Sequence, residues 1–266
     1  MCDNSAVTEA PPSQPRSGAQ AVERALAVLR CIELDDAGVG ITELAQRTGL
    51  TVSTSHRLAR TLTEAGLLHQ DPRTERYQLG PALVVLGRKA ERRLGYWQAL
   101  PLLEELAAAT GESINLGIRA GNEVHVVLDV PSRQPLRFSQ EPGSRVPMHV
   151  SAMGKCLLAS AGDLDDQIAR LGDLDAATQR TITDHDQLRQ ELELVQERGW
   201  ALNDEERNPG VRAIAVPVSQ PGGGVLGAIA IQGPTIRIPD DRLPELATLL
   251  DKTAHRVAPF LGVPPE

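Results

Sequence analysis

Apolar residues recur at helical spacing in the first third of the chain. Val22, Ala25 and Leu26, Leu29 and Ile32 follow the i, i+3, i+4, i+7 pattern of a helix with one buried face, predicting a helix from Gln20 that the Asp35–Gly40 stretch ends. ITELAQRT, with Ile41, Leu44 and Ala45 apolar, predicts a short second helix capped by Thr42 and stopped by Gly49. A third helix, over residues 51–65, puts Val52, Ser55, Leu58, Ala59 and Leu62 on one face. It turns Ser53, Thr54, His56, Arg57, Arg60 and Thr61 largely outward. LLHQ and RYQL then read as two strands joined by Asp71-Pro72-Arg73-Thr74, a turn with proline where its fixed φ is preferred. Helix, helix, turn, helix and hairpin within roughly sixty residues is the order of a winged helix-turn-helix, a reader of double-stranded DNA.

The pattern then changes. PALVVLGRKAERR predicts a connecting helix with a basic end, Arg88, Lys89, Arg92 and Arg93, and another helix is expected near 97–109. Three strand candidates follow, SINLGIR, EVHVVLD and LRFSQ, then helices at SAMGKCLLAS, DDQIARL and DHDQLRQELELVQERG. VRAIAVPV and VLGAIAIQG flank the turn-forming run Gln220–Gly224, and a last helix spans Leu243 to Val257. The class is α+β. Residues 1–18 are rich in Pro, Ser, Gln and Ala without apolar periodicity and predict a disordered tail. The expected division is tail 1–18, DNA-binding domain 19–80, linker helix 81–95 and sheet domain 96–262.

Composition narrows the function. The 266 residues, 41% hydrophobic and 23% charged, leave room for two soluble domains. Six aromatics are too few for the stacking platforms of single-strand nucleic-acid readers. Three distant cysteines suggest neither a disulfide framework nor a thiolate zinc site, and point to a reducing cytoplasm. With no apolar run of about 18 residues and no basic-then-apolar start, nothing points to export or a membrane. The net charge of −8 argues against a non-specific basic binder, but it is uneven: residues 1–95 carry 12 Lys and Arg against 11 Asp and Glu, so a neutral-to-basic head precedes an acidic body.

Four segments carry a resemblance: GAQAVERALAVLRCIE, ITELAQRTGLTVSTSHRLARTLTEAGLL, PGSRVPMHVSAMGKCLLA and ERGWALNDEERNPGVRAIAVPV. In that order, across residues 19–262, the chain resembles bacterial IclR-type transcriptional regulators. The resemblance implies a first domain that binds a pseudo-palindromic operator as a homodimer or homotetramer. It also implies a second, GAF-like domain, an antiparallel sheet flanked by helices, that binds a small metabolite. The contacts do not encode direction, and the family weights it toward repression.

For DNA, Ser53, Thr54 and His56 are the candidates for base edges or nearby phosphates, and Arg57 and Arg60 for guanine edges or backbone. Arg73 at the hairpin tip is the candidate for a minor groove and Thr42 for a phosphate. The alternative is a solvated helical face on which Thr51 or Ser53 merely caps. For the metabolite, the helix start around Ala152, Met153 and Gly154 offers free amides to an anion such as a carboxylate. The resemblance adds Asn203, Ala213, Ala230 and Gln232, with Val146 and Leu136 as apolar wall. Relatives that sense small polar ligands carry a small residue at Met153, an acid at Asn203, Cys at Ala213, and Ser at Ala230 and Gln232. Losing those groups implies a bulkier, more apolar or aromatic carboxylic acid, the alternative being a pocket that has lost its ligand.

Other chemistry is weaker. Asp204, Glu205 and Glu206 read as solvated strand-edge charges, and Asp184-His185-Asp186 as a helix cap built on Thr183 and Asp186. The histidines lack metal-ligand spacing, so neither a metal nor a cofactor is expected. A rival reading is an enzyme with Cys156 as nucleophile and His149 or His125 as base, although Cys156 sits in apolar helix sequence. Another is an oligomeric scaffold that does not touch DNA.

Overall fold

The structure is a computed structural model that describes residues 17–262 apart from Asp36 and Pro221. The tail expected over residues 1–18 therefore lies outside the described residues up to position 16, and Ser17 and Gly18 already belong to the first helix. The chain forms two compact units that divide between Ala90 and Glu91.

The N-terminal unit comprises α1 (Ser17–Glu33), α2 (Ile41–Thr48), α3 (Val52–Glu64), the strands β1 (Leu68–Gln70) and β2 (Tyr77–Leu79), and the first part of α4 (Ala82–Leu94), which carries the chain across the division. Its core is Val28, Ile32, Val39, Leu44, Ala59, Leu62, Leu68 and Tyr77. Val22 and Leu26, expected on the buried face of α1, are exposed. Thr42 does not cap α2: the N-cap is Gly40, in extended conformation and without a side-chain bond, so Thr42 sits one position inside the first turn. Gly49 ends α2 as expected, at a positive φ of 67° with its amide turned back onto the last turn. Val52, placed on the core face of α3 by its periodicity, is half exposed because it opens the helix and no earlier turn covers it. The hairpin pairs antiparallel, Leu68 opposite Leu79, and Tyr77 also bridges to Val39, which ties the wing to the segment before α2.

The C-terminal unit contains α5 (Tyr96–Thr110), β3 (Ser113–Ala120), β4 (Glu123–Val130), β5 (Arg145–Pro147), α6 (Ala152–Ala159), α7 (Leu164–Ala169), α8 (His185–Arg198), β6 (Ala201–Asp204), β7 (Val211–Ser219), β8 (Val225–Pro234) and α9 (Leu243–Val257). Six strands form one antiparallel sheet in the order β5-β4-β3-β8-β7-β6. Alternation along the central strands builds two cores. Ile114, Leu116, Ile214, Val216, Ile229 and Ile231 face α5 and α9. Ala213, Ala215, Ala228 and Ala230 face α6, α7 and α8. The small residues on the second face let α6 lie close: a Cβ on Gly154 would stand 2.2 Å from the Met148 carbonyl oxygen.

Two expectations need correction, and one strand was not expected. LRFSQ is not a strand; residues 136–140 are irregular, and the edge of β4 they would have joined is taken by β5, with Val146 opposite Val124. Pro135 and Pro142 bracket the segment and limit its capacity for a ladder. β6 was not foreseen, since only Ala201 and Leu202 in it are apolar. The cap of α8 is Asp184, whose carboxylate accepts from the Gln187 amide at 2.9 Å, and not Thr183; His185 turns instead to the Gly172 carbonyl oxygen, 2.9 Å away.

Candidate DNA-binding helix and effector site

Along α3, Ser53, His56, Arg57, Arg60 and Thr61 are exposed and Thr54 is half exposed. The helix begins where Thr51 accepts from the Thr54 amide at 3.3 Å; its hydroxyl also donates to Thr54 Oγ1 and lies 3.2 Å from Ser53 Oγ. Capping by Thr51 and outward hydroxyls thus coexist. Replacing Thr51 with Ala is expected to cost about 1 kcal/mol, read as a lower urea midpoint for the N-terminal unit. A shift within error would mean that α3 does not rely on this cap.

The two arginines differ. Arg60 Nε is held by Glu64 Oε1 at 2.9 Å across one turn, with both groups well exposed. Arg57 has no side-chain partner among the described residues and is the free cation of the outward face. Arg73 is exposed at the tip of the hairpin, where Asp71 accepts from its amide at 2.8 Å; that bond is the first reason the Asp71 carboxyl titrates below the usual range. Thr42 is exposed near the start of α2. A residue the sequence reading missed, Arg76, locks this arrangement: its guanidinium donates to the Gly38 carbonyl oxygen at 2.7 Å and to Glu43 of α2 at 3.0 Å, fastening the wing to the helices.

In the other unit, α6 starts at Ser151, whose Oγ accepts from the Gly154 amide at 2.9 Å. One of the three amides expected to be free is therefore used, leaving Ala152 and Met153. The register places the carried-over residues on one face: Asn203 is opposite Ala213, Ala213 opposite Gln232, and Ala230 lies two residues before Gln232. All are buried, as are Val146, Ala152 and Met153. Met153 lies over β3, where a Cβ on Gly117 would stand 2.9 Å from its sulfur. Leu136 is the exception. It is 60% exposed in the irregular segment, where its carbonyl oxygen accepts from Arg237 at 2.9 Å, so it is no part of this buried wall.

The acidic run is solvated only in part: Asp204 and Glu205 are half-buried, and Glu206 is buried. Lys155, inside the apolar sequence of α6 and only 1% exposed, donates to Glu206 Oε1 at 2.7 Å and to Glu191 Oε1 of α8 at 3.5 Å. Arg198 also binds Glu191, at 2.8 Å, and stacks on Trp200 with 4.2 Å to the ring centroid. Glu206 donates its amide to Asn203 Oδ1 at 2.9 Å, so the ion network holds a pocket residue in place. The one available signal was the charge itself, a lysine embedded in SAMGKCLLAS, since a buried ammonium requires a carboxylate.

Asp204 pairs with Arg212 and Arg180, and Arg180 also pairs with Glu205. The Arg212 hydrogen bond holds its carboxyl below the ordinary value. A depressed carboxyl stabilises the fold above its unfolded value and loses that contribution as pH falls through the folded one. Asp204→Asn should therefore lower stability at neutral pH and converge with the parent in acid. Urea unfolding over a pH series checks it, and a constant gap down to the most acid point would contradict it.

The nucleophile geometry is absent at Cys156. Its Sγ donates to the Ala215 carbonyl oxygen at 3.1 Å, and complete burial pushes the thiol up to about 12, so it stays protonated at neutral pH. His149 Nε2 is 3.0 Å from the Asp175 carbonyl oxygen, and His125 is beside Glu123.

A helix-turn-helix with a hairpin wing, followed by an antiparallel sheet with a buried, partly polar face under a helix start, defines a two-domain DNA-binding regulator of transcription. The chain belongs to the IclR family of bacterial transcriptional regulators: residues 21–72 match the IclR helix-turn-helix domain, and residues 96–258 match the bacterial transcriptional regulator IclR C-terminal domain. It is 35% identical over 248 residues to the HTH-type transcriptional regulator BhcR of Paracoccus denitrificans, covering 92% of this chain and 88% of that protein. It is 30% identical over 254 residues to the HTH-type transcriptional repressor AllR of Klebsiella pneumoniae, covering 94% and 93%. Among solved structures, an IclR regulator from Alicyclobacillus acidocaldarius superposes with a TM-score of 0.82 at 29% identity, covering 91% of this chain and 99% of that one. The expected α+β architecture is thus the family's own.

Proposed function

We propose that the protein is an effector-responsive repressor that acts in the cytoplasm and binds a pseudo-palindromic operator as a homodimer or homotetramer. Residues 19–80 bind DNA, 81–95 link, and 96–262 sense the effector. The wet side of α3 enters the major groove, with Ser53, Thr54 and His56 at base edges or phosphates and Arg57 and Arg60 one turn on. Arg73 reaches a minor groove and Thr42 a phosphate. The single observation that carries this reading is an exposed, unpartnered Arg57 on a helix whose opposite face is buried. Pairing is supported by apolar side chains left exposed in the N-terminal unit, Val22, Leu26 and Leu34 in and after α1 and Val84, Val85 and Leu86 on α4. No helix among the described residues is long and apolar enough to cross a membrane.

The effector is a small organic acid with an apolar or aromatic body. It is held by the start of α6 at Ala152 and Met153 and by Asn203, Ala213, Ala230 and Gln232, with Val146 behind them. Catalysis through Cys156 is disfavoured by its buried, protonated thiol. Fluorescence anisotropy with the protein's own promoter against shuffled DNA at moderate salt tests the reading, together with a thermal-shift screen of aliphatic and aromatic acids. Equal affinity for both DNAs sinks the regulatory assignment, and a clear preference for glyoxylate sinks the effector class.

A further inference from the structure

We infer that the effector carries a hydroxyl as well as its carboxylate, because three buried carboxamides at the effector site are each left with an unused polar group. This rests on the effector site proposed above and goes further by naming what the site selects. Asn115 is on β3 opposite Ala230, Gln232 is on β8, and Asn203 is on β6 opposite Ala213. Ala213 and Ala230 belong to the core under α6, so pairing and alternation put all three carboxamides on that face. They are 0%, 8% and 5% exposed respectively. Asn203 and Gln232 were already candidates from the resemblance, whereas Asn115 was not singled out by the sequence at all.

Hydrogen bonds fix two of the three amide orientations. Asn115 Nδ2 donates to Asp129 Oδ1 at 2.9 Å and to the Gln140 carbonyl oxygen at 3.3 Å, both of which can only accept. Its Oδ1 is therefore a true acceptor, and it is buried without a partner. Asn203 Oδ1 accepts from the Glu206 amide, so its Nδ2 is a donor, and that donor is unused. The Gln232 side chain makes no hydrogen bond among the described residues. Buried polar groups are normally paired, so the orphaned Asn115 Oδ1, on one face with Asn203 Nδ2 and a Gln232 amide that make no side-chain bond either, points to a bound molecule that completes it.

The identity of the orphans selects the ligand. A bare carboxylate offers acceptors only; it serves Asn203 Nδ2 and the amides of Ala152 and Met153 and leaves Asn115 Oδ1 facing another oxygen. An ammonium would supply donors but brings a charge, and the nearby Asp129 carboxylate is already engaged by Asn115 and Ser139. A hydroxyl donates to Asn115 and still accepts, for which Gln232 is suited. Ala213, Ala230 and Met153 supply the apolar surface for the carbon skeleton between the polar ends.

Matched pairs test this: propionate with lactate, hexanoate with 6-hydroxyhexanoate, and phenylacetate with 4-hydroxyphenylacetate. Each is titrated calorimetrically into the full chain, with operator release read in parallel. In at least one pair the hydroxylated acid should bind about tenfold or more tightly, since sites built around a hydroxyl discriminate strongly against its absence. Asn115→Leu should erase that difference, so that the two acids of each pair bind alike. Gln232→Leu, which breaks no bond within the fold, should reduce the difference too. Equal binding throughout every pair, or a preference that survives Asn115→Leu, overturns the inference and leaves the effector site standing. If no acid of either kind binds, the effector site itself is refuted and the inference falls with it.

Discussion

Lys155→Met is expected to destabilise the C-terminal unit by about 3–5 kcal/mol, the range for breaking a buried ion pair from one side. The loss has a specific origin. Glu206 would remain buried without its counter-charge, its Oε1 held only by the Asp204 amide at 3.3 Å, and its Oε2 already lacks a partner. Glu191 would keep Arg198, so the damage concentrates at Glu206 and at the backbone amide it gives to Asn203. The pairing of charge is what counts, so Lys155→Met combined with Glu206→Leu should recover much of the loss, as apolar replacement of a whole buried pair often does. Unfolding of the full chain in urea, followed by the fluorescence of Trp97 and Trp200, measures both. A single substitution that costs less than about 1 kcal/mol would show that the ion pair does not hold α6 to the end of β6.

Arg57→Ala is expected to weaken operator binding by about 1–3 kcal/mol, on the order of tenfold to a hundredfold, without a change in stability. Stability is spared because the guanidinium makes no bond within the fold. If Arg57 contacts phosphate, the slope of log affinity against log salt should fall by about one, and if it reads guanine, discrimination against a substituted site should shrink instead. Arg60→Ala should do less, because Arg60 also serves Glu64. By the same reasoning Glu64→Gln should tighten binding, since it removes a negative charge from the face that meets DNA and frees Arg60. Unchanged affinity and salt slope in Arg57→Ala would leave α3 as a solvated helix face and remove the basis of the proposed DNA reading.

Periodicity was most informative where a segment packs along one side. α2, α3, the wing and α9 appear within a residue or two of the expected bounds, because burial of one stripe against one neighbour leaves a regular record in the sequence. Where the record is short or ambiguous it misled. Leu136 and Phe138 mimic a strand, yet the sheet edge they needed was occupied by Arg145–Pro147, a competition that no local pattern reveals. Thr42 and Thr183 were plausible caps, but a helix start moves by one residue when a neighbouring glycine or aspartate adopts the extended conformation first.

The chemistry of the two ends divides in the same way. The sequence alone determined that a helix with hydroxyls, a histidine and two arginines on its wet side precedes an α+β body, since those properties belong to one element and its spacing. Only the tertiary structure decided which of those arginines is free, which acids are buried, and which polar side chains meet. Arg60 is engaged by a residue one turn away, Glu206 is drawn inward by a lysine 51 positions earlier in the chain, and Asn115 joins Asn203 and Gln232 through strand register. Such encounters depend on how strands and helices from distant parts of the chain are brought side by side, and the energy of a buried charge or amide is set by that company and not by the residue's own neighbours in sequence.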